Sequence, residues 1–269
     1  MSSKTVACIV ARTVSTRLPL KVLRNVVEDL SMLDFMIQRL KLVRNIDDIY
    51  LCTSNERVDD ILEDVSKRND VKIYRGSSDA VIERLIAVGE LERAESIIRI
   101  TGDNVFTSSE YLEEQIKIHD VNKLDYTRII DVPIGASAEV MRLSAVKKCN
   151  KMIDASKSEY LLLYMYNPEL FKCGVISLKG IKESSNYTVT VDTQDDYIRT
   201  KQIFGLFMGN PLDIKLKDII DITDKHDIKN SKLEFSGNVK MPDDEEITFE
   251  EFQIDMNERK RASIHFTIG

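Results

Sequence analysis

The sequence contains few of the residues that build disulfide scaffolds and zinc sites. Its 269 residues include four cysteines and three histidines. The cysteines, at positions 8, 52, 149 and 173, lie far apart and form no C-x-x-C pair. Zinc ligands and disulfide frameworks come in closely spaced sets, so we expect neither. Cys8 and Cys52 are expected to be small apolar residues inside buried strands.

Long apolar runs are also missing. The N-terminal run TVACIV is short, and no basic region or cleavage site accompanies it. A membrane-spanning helix needs about 20 apolar residues, and a secretion signal needs a basic, an apolar and a cleavage region in that order. The expectation is a cytoplasmic protein without membrane contact.

An excess of positive charge is absent as well. The chain has 45 acidic and 38 basic residues, a net charge of -7, and a pI near 5.2. General nucleic-acid binders neutralise phosphates with a basic face. The composition therefore predicts no nucleic-acid partner, although single basic loops remain compatible with it.

Strand-length apolar runs do recur through the first hundred residues, and segments of helical period separate most of them. The first such segment has Ser31 as a helix cap and places Leu33 and Ile37 on one face. This alternation predicts an α/β fold, Rossmann-like, with a mostly parallel sheet and right-handed crossovers. The strand candidates are TVACIV (5–10), IYLCTS (49–54), VKIYRG (71–76) and SIIRITG (96–102).

After residue 103 the alternation is less regular. We expect short strands at 126–130, 138–143 and 187–191, the last followed by a helix beginning near Asp195. The dense apolar run YLLLYMY indicates an oligomer or, alternatively, a buried core helix.

The domain organisation follows from the change in character near residue 229. We interpret 1–228 as one domain that includes a smaller lobe at about 125–175, and 229–269 as a C-terminal extension. The extension switches from acidic to basic with weak periodicity. A surface arm or an extension that clasps a dimer partner is expected there, and a regulatory or partner-binding role is the alternative.

The first candidate site is the basic loop, residues 11–23, ARTVSTRLPLKVL. It follows the first predicted strand, and ligands of parallel sheets gather at the carboxyl ends of strands. Guanidinium forks bridge two oxygens, whereas a lysine acts as a point charge. Arg12, Arg17 and Lys21 therefore suit a polyphosphate, with a solvated basic turn as the alternative. The loop is not a P-loop, because G-x-x-x-x-G-K-[ST] is absent.

Two aspartates also follow predicted strands. Asp103 ends the segment RITGD, and Asp192 follows YTVTV. Taken singly, each could be a helix cap or turn former. Two carboxylates on neighbouring strand ends, however, suit Mg²⁺ when phosphates and water supply the other ligands. A basic loop facing such a pair is typical of phosphoryl or nucleotidyl transfer.

Several segments together resemble the cytidylyltransferases of the spore coat polysaccharide biosynthesis type, which are relatives of the acylneuraminate and 3-deoxy-manno-octulosonate cytidylyltransferases. The resemblance runs from about residue 5 to 225. The segments that carry it are ARTVSTRLPLKVL, IYLCTS, VKIYRGSSDAVIERL, IIRITGDN and YTVTVDTQDDYIRTKQIF.

The resemblance implies a Rossmann-like nucleotidyltransferase with a small dimerisation lobe, and hence a homodimer. It further implies a Mg²⁺-dependent enzyme that joins CMP from CTP to an acidic sugar or a phosphorylated or phosphonate acceptor, with release of pyrophosphate, in surface polysaccharide or capsule modification. The alternative is a nucleotide-binding subunit without catalysis that holds a partner. A flavodoxin-like module would leave the basic loop and the two aspartates unexplained.

The resemblance also implies residue roles. Arg12, Lys21 and Asp103 would be catalytic, and Asp103 and Asp192 would bind Mg²⁺. The CTP site would comprise Ala11, Arg12, Ser15, Arg17, Lys21, Thr53, Ser54, Arg75, Gly76, Ser77 and Gly102. The acceptor site would comprise Gly135, Ser137, Glu139, Glu159 and Tyr160. Taken alone, Arg75 could equally be a surface residue at a strand end.

The chain departs from the family pattern in both sites. Val14 and Leu20 stand where the family loop has glycines, which adopt positive φ and let backbone approach phosphate. We therefore expect a differently shaped loop and a weakened enzyme, a changed acceptor or an inactive relative. Ser137 stands where an acid is common and Tyr160 where histidine is usual. Loss of the acid favours a more anionic acceptor, unless Ser137 is a turn residue.

Overall fold

The computed structural model describes residues 4–233, 238–242 and 245–269. The strands, in chain order, are β1 (Thr5–Val10), β2 (Asn25–Val27), β3 (Leu30–Ser31), β4 (Asp48–Ser54), β5 (Lys72–Gly76), β6 (Ser96–Thr101), β7 (Tyr126–Ile129), β8 (Glu139–Arg142), β9 (Cys173–Leu178), β10 (Asn238–Lys240), β11 (Glu246–Thr248) and β12 (Ile264–Ile268). The α-helices are α1 (Met32–Leu40), α2 (Ile61–Arg68), α3 (Val81–Leu91), α4 (Leu112–Val121), α5 (Leu143–Asn150), α6 (Leu161–Met165), α7 (Gln194–Leu206), α8 (Leu216–His226) and α9 (Phe249–Ala262).

One sheet of eight strands organises the chain, in the order β12-β9-β7-β8-β6-β1-β4-β5. The pairs β1–β4, β1–β6 and β4–β5 are parallel, and β8 is antiparallel to both β6 and β7. Helices α1, α2 and α3 connect successive parallel strands in the order that the sequence predicted. The prediction of a Rossmann-like α/β fold is confirmed, and the carboxyl ends of β1, β4 and β6 lie side by side.

Helix α1 begins at the cap that the sequence indicated. The Ser31 side chain accepts a hydrogen bond from Asp34 N, and the Asp34 carboxylate bonds back to Ser31 N. This reciprocal capping box satisfies two backbone donors of the first turn. Arg68 and Asn69 also donate to Asp34, so the helix start is tied to the end of α2.

Apolar side chains fill both faces of the sheet. On one face, Phe204 of α7 contacts Phe35 and Phe106 with ring centroids 4.9 Å apart in each case. The other core contains Cys8 and Cys52 together with residues of α3, α5 and α6. All four cysteines are free and buried, and Cys8 and Cys52 lie within strands as expected.

The predicted strand at 187–191 is wrong. Tyr187 and Thr188 form only isolated bridges, to Lys232 and Ile134. The apolar and hydroxyl residues alternate there because Val189 and Val191 are buried in the core, and not because the segment pairs with a strand. Helix α7 nevertheless begins at Gln194, next to the predicted Asp195.

The C-terminal extension ends as an edge strand of the main sheet, because β12 pairs in parallel with β9. Before it, Arg259 donates to the carbonyls of Leu163 and Tyr166, at 2.7 Å each. The boundary at 228 stays a prediction, and residues 234–237 and 243–244 of the extension lie outside the described residues, as do residues 1–3.

The run YLLLYMY lies in and beside α6, where Leu161 and Met165 are buried. Of the two interpretations of this run, the buried core helix agrees with its position in the structure. The homodimer stays a prediction. In the described ranges, no helix combines the length and the apolar character that crossing a bilayer requires.

Candidate functional site

A cleft of about 470 Å³ opens at the carboxyl ends of β1 and β6. The basic loop forms one wall, and the start of α3 with the 3-10 turn Ala155–Tyr160 forms the other. The residues predicted as site residues that line the cleft are Ala11, Arg12, Ser15, Arg17, Lys21, Gly102, Asp103, Glu159 and Asp192.

Lys21 joins the basic loop to both aspartates. Its Nζ lies 2.8 Å from Asp103 Oδ2 and 2.9 Å from Asp192 Oδ1. Arg17 approaches the same oxygen of Asp192 at 3.1 Å. The structure thus brings together the three elements that sequence analysis singled out separately, over a separation of 171 residues between Lys21 and Asp192.

The charges of this cluster stabilise one another. Burial lowers the pKa of Lys21, but the carboxylates of Asp103 and Asp192 outweigh this effect and hold that pKa above its ordinary value. Burial raises the pKa of Asp192, and the ammonium of Lys21 overcomes it, so the pKa of Asp192 lies below its usual range. Lys21 and Asp192 are therefore both charged at neutral pH.

Leu20 occupies the left-handed backbone region that favours glycine, at φ 56° and ψ 22°. Its amide donates to Thr13 O at 3.0 Å, which closes the loop. Val14, in contrast, has no positive φ, and its side chain lies at the rim of the cleft. At position 20 the chain therefore keeps a conformation suited to glycine with a leucine in place.

Asp59 anchors the basic loop through hydrogen bonds to Thr13, and sequence analysis did not identify Asp59. Its Oδ1 accepts from Thr13 N at 2.7 Å and from Thr13 Oγ1 at 2.6 Å, and Ser54 Oγ donates to Oδ2. Burial raises the pKa of Asp59, but these hydrogen bonds lower it further than burial raises it. Ser54 thus supports the loop, and the buried Thr53 beside it is not part of the cleft lining.

Gly102 permits the close approach of β6 to the basic loop. Its amide donates to Val10 O at 2.8 Å, and a Cβ at this position would lie 2.8 Å from the Cβ of Ala11. This contact explains why a glycine precedes Asp103. It brings the carboxylate of Asp103 within reach of Lys21.

Arg75 lies outside the cleft lining, contrary to the placement that the resemblance implied. Its guanidinium contacts Glu63 Oε1 and Asp60 Oδ1, at 2.6 Å each, and so fixes the end of β5 to the start of α2. Gly76 and Ser77 are likewise not part of the lining, whereas the next residues along, Ser78 and Asp79, are.

The acceptor residues implied by the resemblance are dispersed. Glu139 is buried, with Tyr126 Oη donating to it at 2.8 Å and Arg99 bonded to its other oxygen. Ser137 Oγ accepts from Ile129 N at 3.0 Å and donates to Ala138 O, as expected of a turn residue.

Gly135 and Tyr160 are the other two acceptor candidates that do not line the cleft. Gly135 has φ 92° and packs against the backbone of Thr190, two residues before Asp192. Glu159 is therefore the one implied acceptor residue that lines the cleft directly.

Two arginines that sequence analysis missed complete the cationic lining. Arg84 comes from α3 and Arg99 from β6, and neither follows a strand end, which was the signal used to find the others. With Arg12, Arg17 and Lys21 they give the cleft five cationic residues. The cleft is also lined by four carboxylates, those of Asp79, Asp103, Glu159 and Asp192, so cations exceed acids there by one in a chain of net charge -7.

Asp103 and Asp192 fit a hard divalent cation. Within the part of the chain that the structure describes, no three metal-ligating side chains of the His, Cys, Asp and Glu types cluster together. A cation here would therefore have these two carboxylates as protein ligands, and phosphate oxygens and water would complete its shell, as is usual for Mg²⁺.

A mostly parallel sheet with a basic cleft at the carboxyl ends of its central strands defines a Rossmann-like nucleotidyltransferase. The chain belongs to the cytidylyltransferase family, whose model matches residues 6–232. It is 29% identical over 223 residues to the spore coat polysaccharide biosynthesis protein SpsF of Bacillus subtilis (strain 168), covering 80% of this chain and 92% of that protein.

Two solved structures are similar. A cytidylyltransferase from Leptospira borgpetersenii superposes with a TM-score of 0.77 at 26% identity, covering 87% of this chain and all of that one. A CMP:2-keto-3-deoxy-manno-octonic acid synthetase complexed with CTP gives a TM-score of 0.58 at 16% identity, covering 76% of this chain and 99% of that one. The second likeness shows the fold alone.

Proposed function

We propose that this protein transfers CMP from CTP to an acidic or phosphorylated acceptor and releases pyrophosphate, in the biosynthesis of a surface polysaccharide. Membership of the cytidylyltransferase family supports the nucleotide, and the name of the Bacillus subtilis relative supports the pathway. The observation that carries the chemistry is the position of Lys21 Nζ between Asp103 and Asp192, inside a cleft lined by four arginines.

The basic loop would bind the triphosphate. Arg12 and Arg17 can each bridge two phosphate oxygens, and both side chains are exposed enough to reach a ligand. Lys21 is held in place by two carboxylates and needs no reorientation to present its charge. Such preorganised charge stabilises a transition state more effectively than a mobile side chain does.

Asp103 and Asp192 would hold Mg²⁺, which when bound neutralises charge on the phosphates. An oxygen of the acceptor attacks the α-phosphorus, and the bond from this phosphorus to the oxygen that bridges to the β-phosphate breaks. The electron pair leaves with pyrophosphate. If the attacking oxygen is a hydroxyl, its proton passes to solvent. Lys21 and Arg12 stabilise the negative charge that develops on the phosphoryl oxygens.

The test is pyrophosphate release with CTP, Mg²⁺ and a panel of ulosonic acids, nonulosonic acids, phosphorylated amides and phosphonates, with CTP binding titrated in parallel. Lys21→Ala should stop release, and Lys117→Ala, an exposed lysine of α4 outside the cleft, should not. CTP binding without release from any acceptor would leave a non-catalytic nucleotide-binding subunit. Absence of CTP binding would overturn both functions.

A further inference from the structure

A buried arginine of α7 bonds to the segment that carries Asp192. Arg199 is 1% exposed and is not part of the cleft lining. One of its terminal nitrogens donates to the carbonyl of Thr190, and the other donates to Asp196 Oδ1 at 2.8 Å and to the carbonyl of Asn230. One rigid guanidinium thus connects the residue two positions before Asp192 to the first turn of α7.

Asp196 extends this connection to Asp192 itself. While its Oδ1 accepts from Arg199, its Oδ2 accepts from the amides of Asp192 at 3.1 Å and Thr193 at 2.8 Å, and from Thr193 Oγ1 at 2.8 Å. Thr193 Oγ1 in turn accepts from Asp196 N, so the two residues form the capping box of α7. The Arg199–Asp196 pair is therefore bonded to the backbone on both sides of the Asp192 Cα.

Strand pairing does not fix the segment before Asp192. Within the described residues, 187–191 form only two isolated bridges, both at the start of the segment. Val191 N donates to Asp103 O at 3.0 Å, which brings together the backbones that carry the two carboxylates. Thr190 O is bonded to Arg199. The guanidinium thus supplies a backbone hydrogen bond of the kind that a neighbouring strand supplies inside the sheet.

Apolar packing secures α7 in the core without this ion pair. The buried face of the helix contains Ile203 and Phe204, and both belong to the hydrophobic core. The side chains of Arg199 and Asp196 are 0% and 17% exposed, and a buried ion pair gains little net stability because both charges lose water. Its hydrogen bonds are directional, however. Because they end at the backbone around Asp192, they define the position of this residue.

We propose that Arg199 and Asp196 are positioning residues for Asp192 in the binding of a divalent cation. Together they hold its backbone so that its carboxylate stays beside that of Asp103, where both accept from Lys21. The inference rests on the proposed function and adds to it two residues that do not line the cleft. Partners that orient a ligating carboxylate typically change metal affinity by about 10–100-fold.

The experiment measures Mn²⁺ binding, because Mn²⁺ takes the same oxygen ligands as Mg²⁺ and its free form is quantified by electron paramagnetic resonance. Mn²⁺ is titrated into the protein loaded with cytidine 5′-(α,β-methylene)triphosphate, and the analogue without protein gives the reference. Arg199→Met should weaken Mn²⁺ binding about tenfold. Its affinity for the analogue in EDTA should stay that of the wild type, because the basic loop is unchanged.

Arg259→Met is the matched control. Arg259 also donates to two carbonyls, those of Leu163 and Tyr166, and to the carboxylate of Asp255, and none of these acceptors lines the cleft. This variant should lower the Tm and keep the wild-type affinity for Mn²⁺. If it weakens Mn²⁺ binding as much as Arg199→Met does, the effect reflects a general loss of stability and the inference is overturned.

Two conservative variants separate positioning from folding. Arg199→Lys keeps the charge without the guanidinium fork, and Asp196→Asn keeps an acceptor oxygen without the ion pair. Each should weaken Mn²⁺ binding about threefold, because part of the contact remains. These two carry the test if Arg199→Met fails to fold. Wild-type Mn²⁺ affinity in the variants that fold, or an equal loss of analogue affinity in EDTA, would overturn the inference.

Failure of the proposed function gives a different result. If the wild type binds Mn²⁺ with the analogue but releases no pyrophosphate with any acceptor, the proposed function fails, and a tenfold effect of Arg199→Met still supports the positioning role. If the wild type does not bind the analogue, Mn²⁺ titration of the nucleotide-free protein provides the same comparison. A wild type that binds Mn²⁺ in neither form overturns the inference, whether or not it turns over CTP.

Discussion

Lys21 Nζ lies 2.8 Å from Asp103 Oδ2, where the basic loop meets the end of β6. Asp192 shares the same ammonium from the other side. Removal of one carboxylate leaves Lys21 paired with the other, so the fold does not depend on both. The proposed chemistry does depend on both, because a Mg²⁺ ion held by Asp103 and Asp192 would lose one of its two protein ligands.

Asp103→Asn should therefore lower turnover by at least about 10²-fold, the scale on which charged transition-state contacts act, and leave the thermal unfolding temperature nearly unchanged. Initial rates of pyrophosphate release and a melting curve measure the two effects. Asp221→Asn, on the exposed side of α8, is the control and should keep the wild-type rate. A wild-type rate in Asp103→Asn would remove this residue from the catalytic site.

The sequence predicts the first half of the fold well because the information there is local. A cap at Ser31 and apolar residues at helical spacing define α1 without reference to the rest of the chain. The segment 187–191 alternates between apolar and hydroxyl residues just as clearly, but it is not a strand of the sheet. Its valines, Val189 and Val191, are buried in the hydrophobic core. Thr188 N, Val189 N and Val191 N donate to the carbonyls of Ser231, Ile134 and Asp103, respectively. These acceptors are far from the segment in the sequence, and no local pattern reveals them.

The same distinction applies to the site. Residues that follow strands, such as Lys21 and Asp103, could be predicted from the rule that ligands gather at the carboxyl ends of parallel strands. Asp59 and Arg84 could not, because each acts through a partner far away in the sequence. Asp59 contacts Thr13, 46 residues distant, and Arg84 reaches Cys52, 32 residues distant.

Leu20→Gly and Val14→Gly form a matched pair in the basic loop, since both side chains are about half exposed. Leu20 has φ 56°, a conformation that costs an L-residue about 1–2 kcal/mol. Glycine removes this strain there, whereas at Val14, which has no positive φ, it only adds freedom to the unfolded chain, worth about 0.5–1 kcal/mol.

Urea unfolding should accordingly show that Leu20→Gly keeps or gains stability and that Val14→Gly loses it. The two variants should also be compared in CTP binding, where a smaller side chain lets phosphate approach the backbone more closely. If Leu20→Gly destabilises the protein as much as Val14→Gly does, the left-handed residue is not strained.

Asp59→Asn should lower the free energy of unfolding at pH 7 by about 1–3 kcal/mol, because two hydroxyls and an amide lose a buried charged acceptor. The pKa of Asp59 is held below its ordinary value of 3.8. Its contribution is thus fully present above that value and is lost as the pH falls through the lower, folded pKa. Wild-type stability should decline more steeply below pH about 4 than that of Asp59→Asn.

Chemical denaturation at a series of pH values measures this difference. Asp64→Asn is the control, since the Asp64 side chain is 74% exposed and should give the wild-type profile. Parallel acid profiles in Asp59→Asn and the wild type would show that the carboxylate of Asp59 contributes nothing to the anchoring of the loop.

Gly135→Ala should destabilise the protein by about 1–3 kcal/mol, the range for a residue forced into a sparsely populated backbone region. Gly135 has φ 92°, and a Cβ there would lie 2.9 Å from Thr190 N and 3.0 Å from Asn104 Oδ1. Because these neighbours precede Asp192 and follow Asp103, the substitution should also lower turnover. Gly205→Ala, in α7 with open space around its Cβ, should instead stabilise by up to about 1 kcal/mol. Urea unfolding and pyrophosphate release distinguish the Gly135→Ala and Gly205→Ala variants. A fully active and stable Gly135→Ala variant would show that the loop around Gly135 can move away without disturbing Asp103 or Asp192.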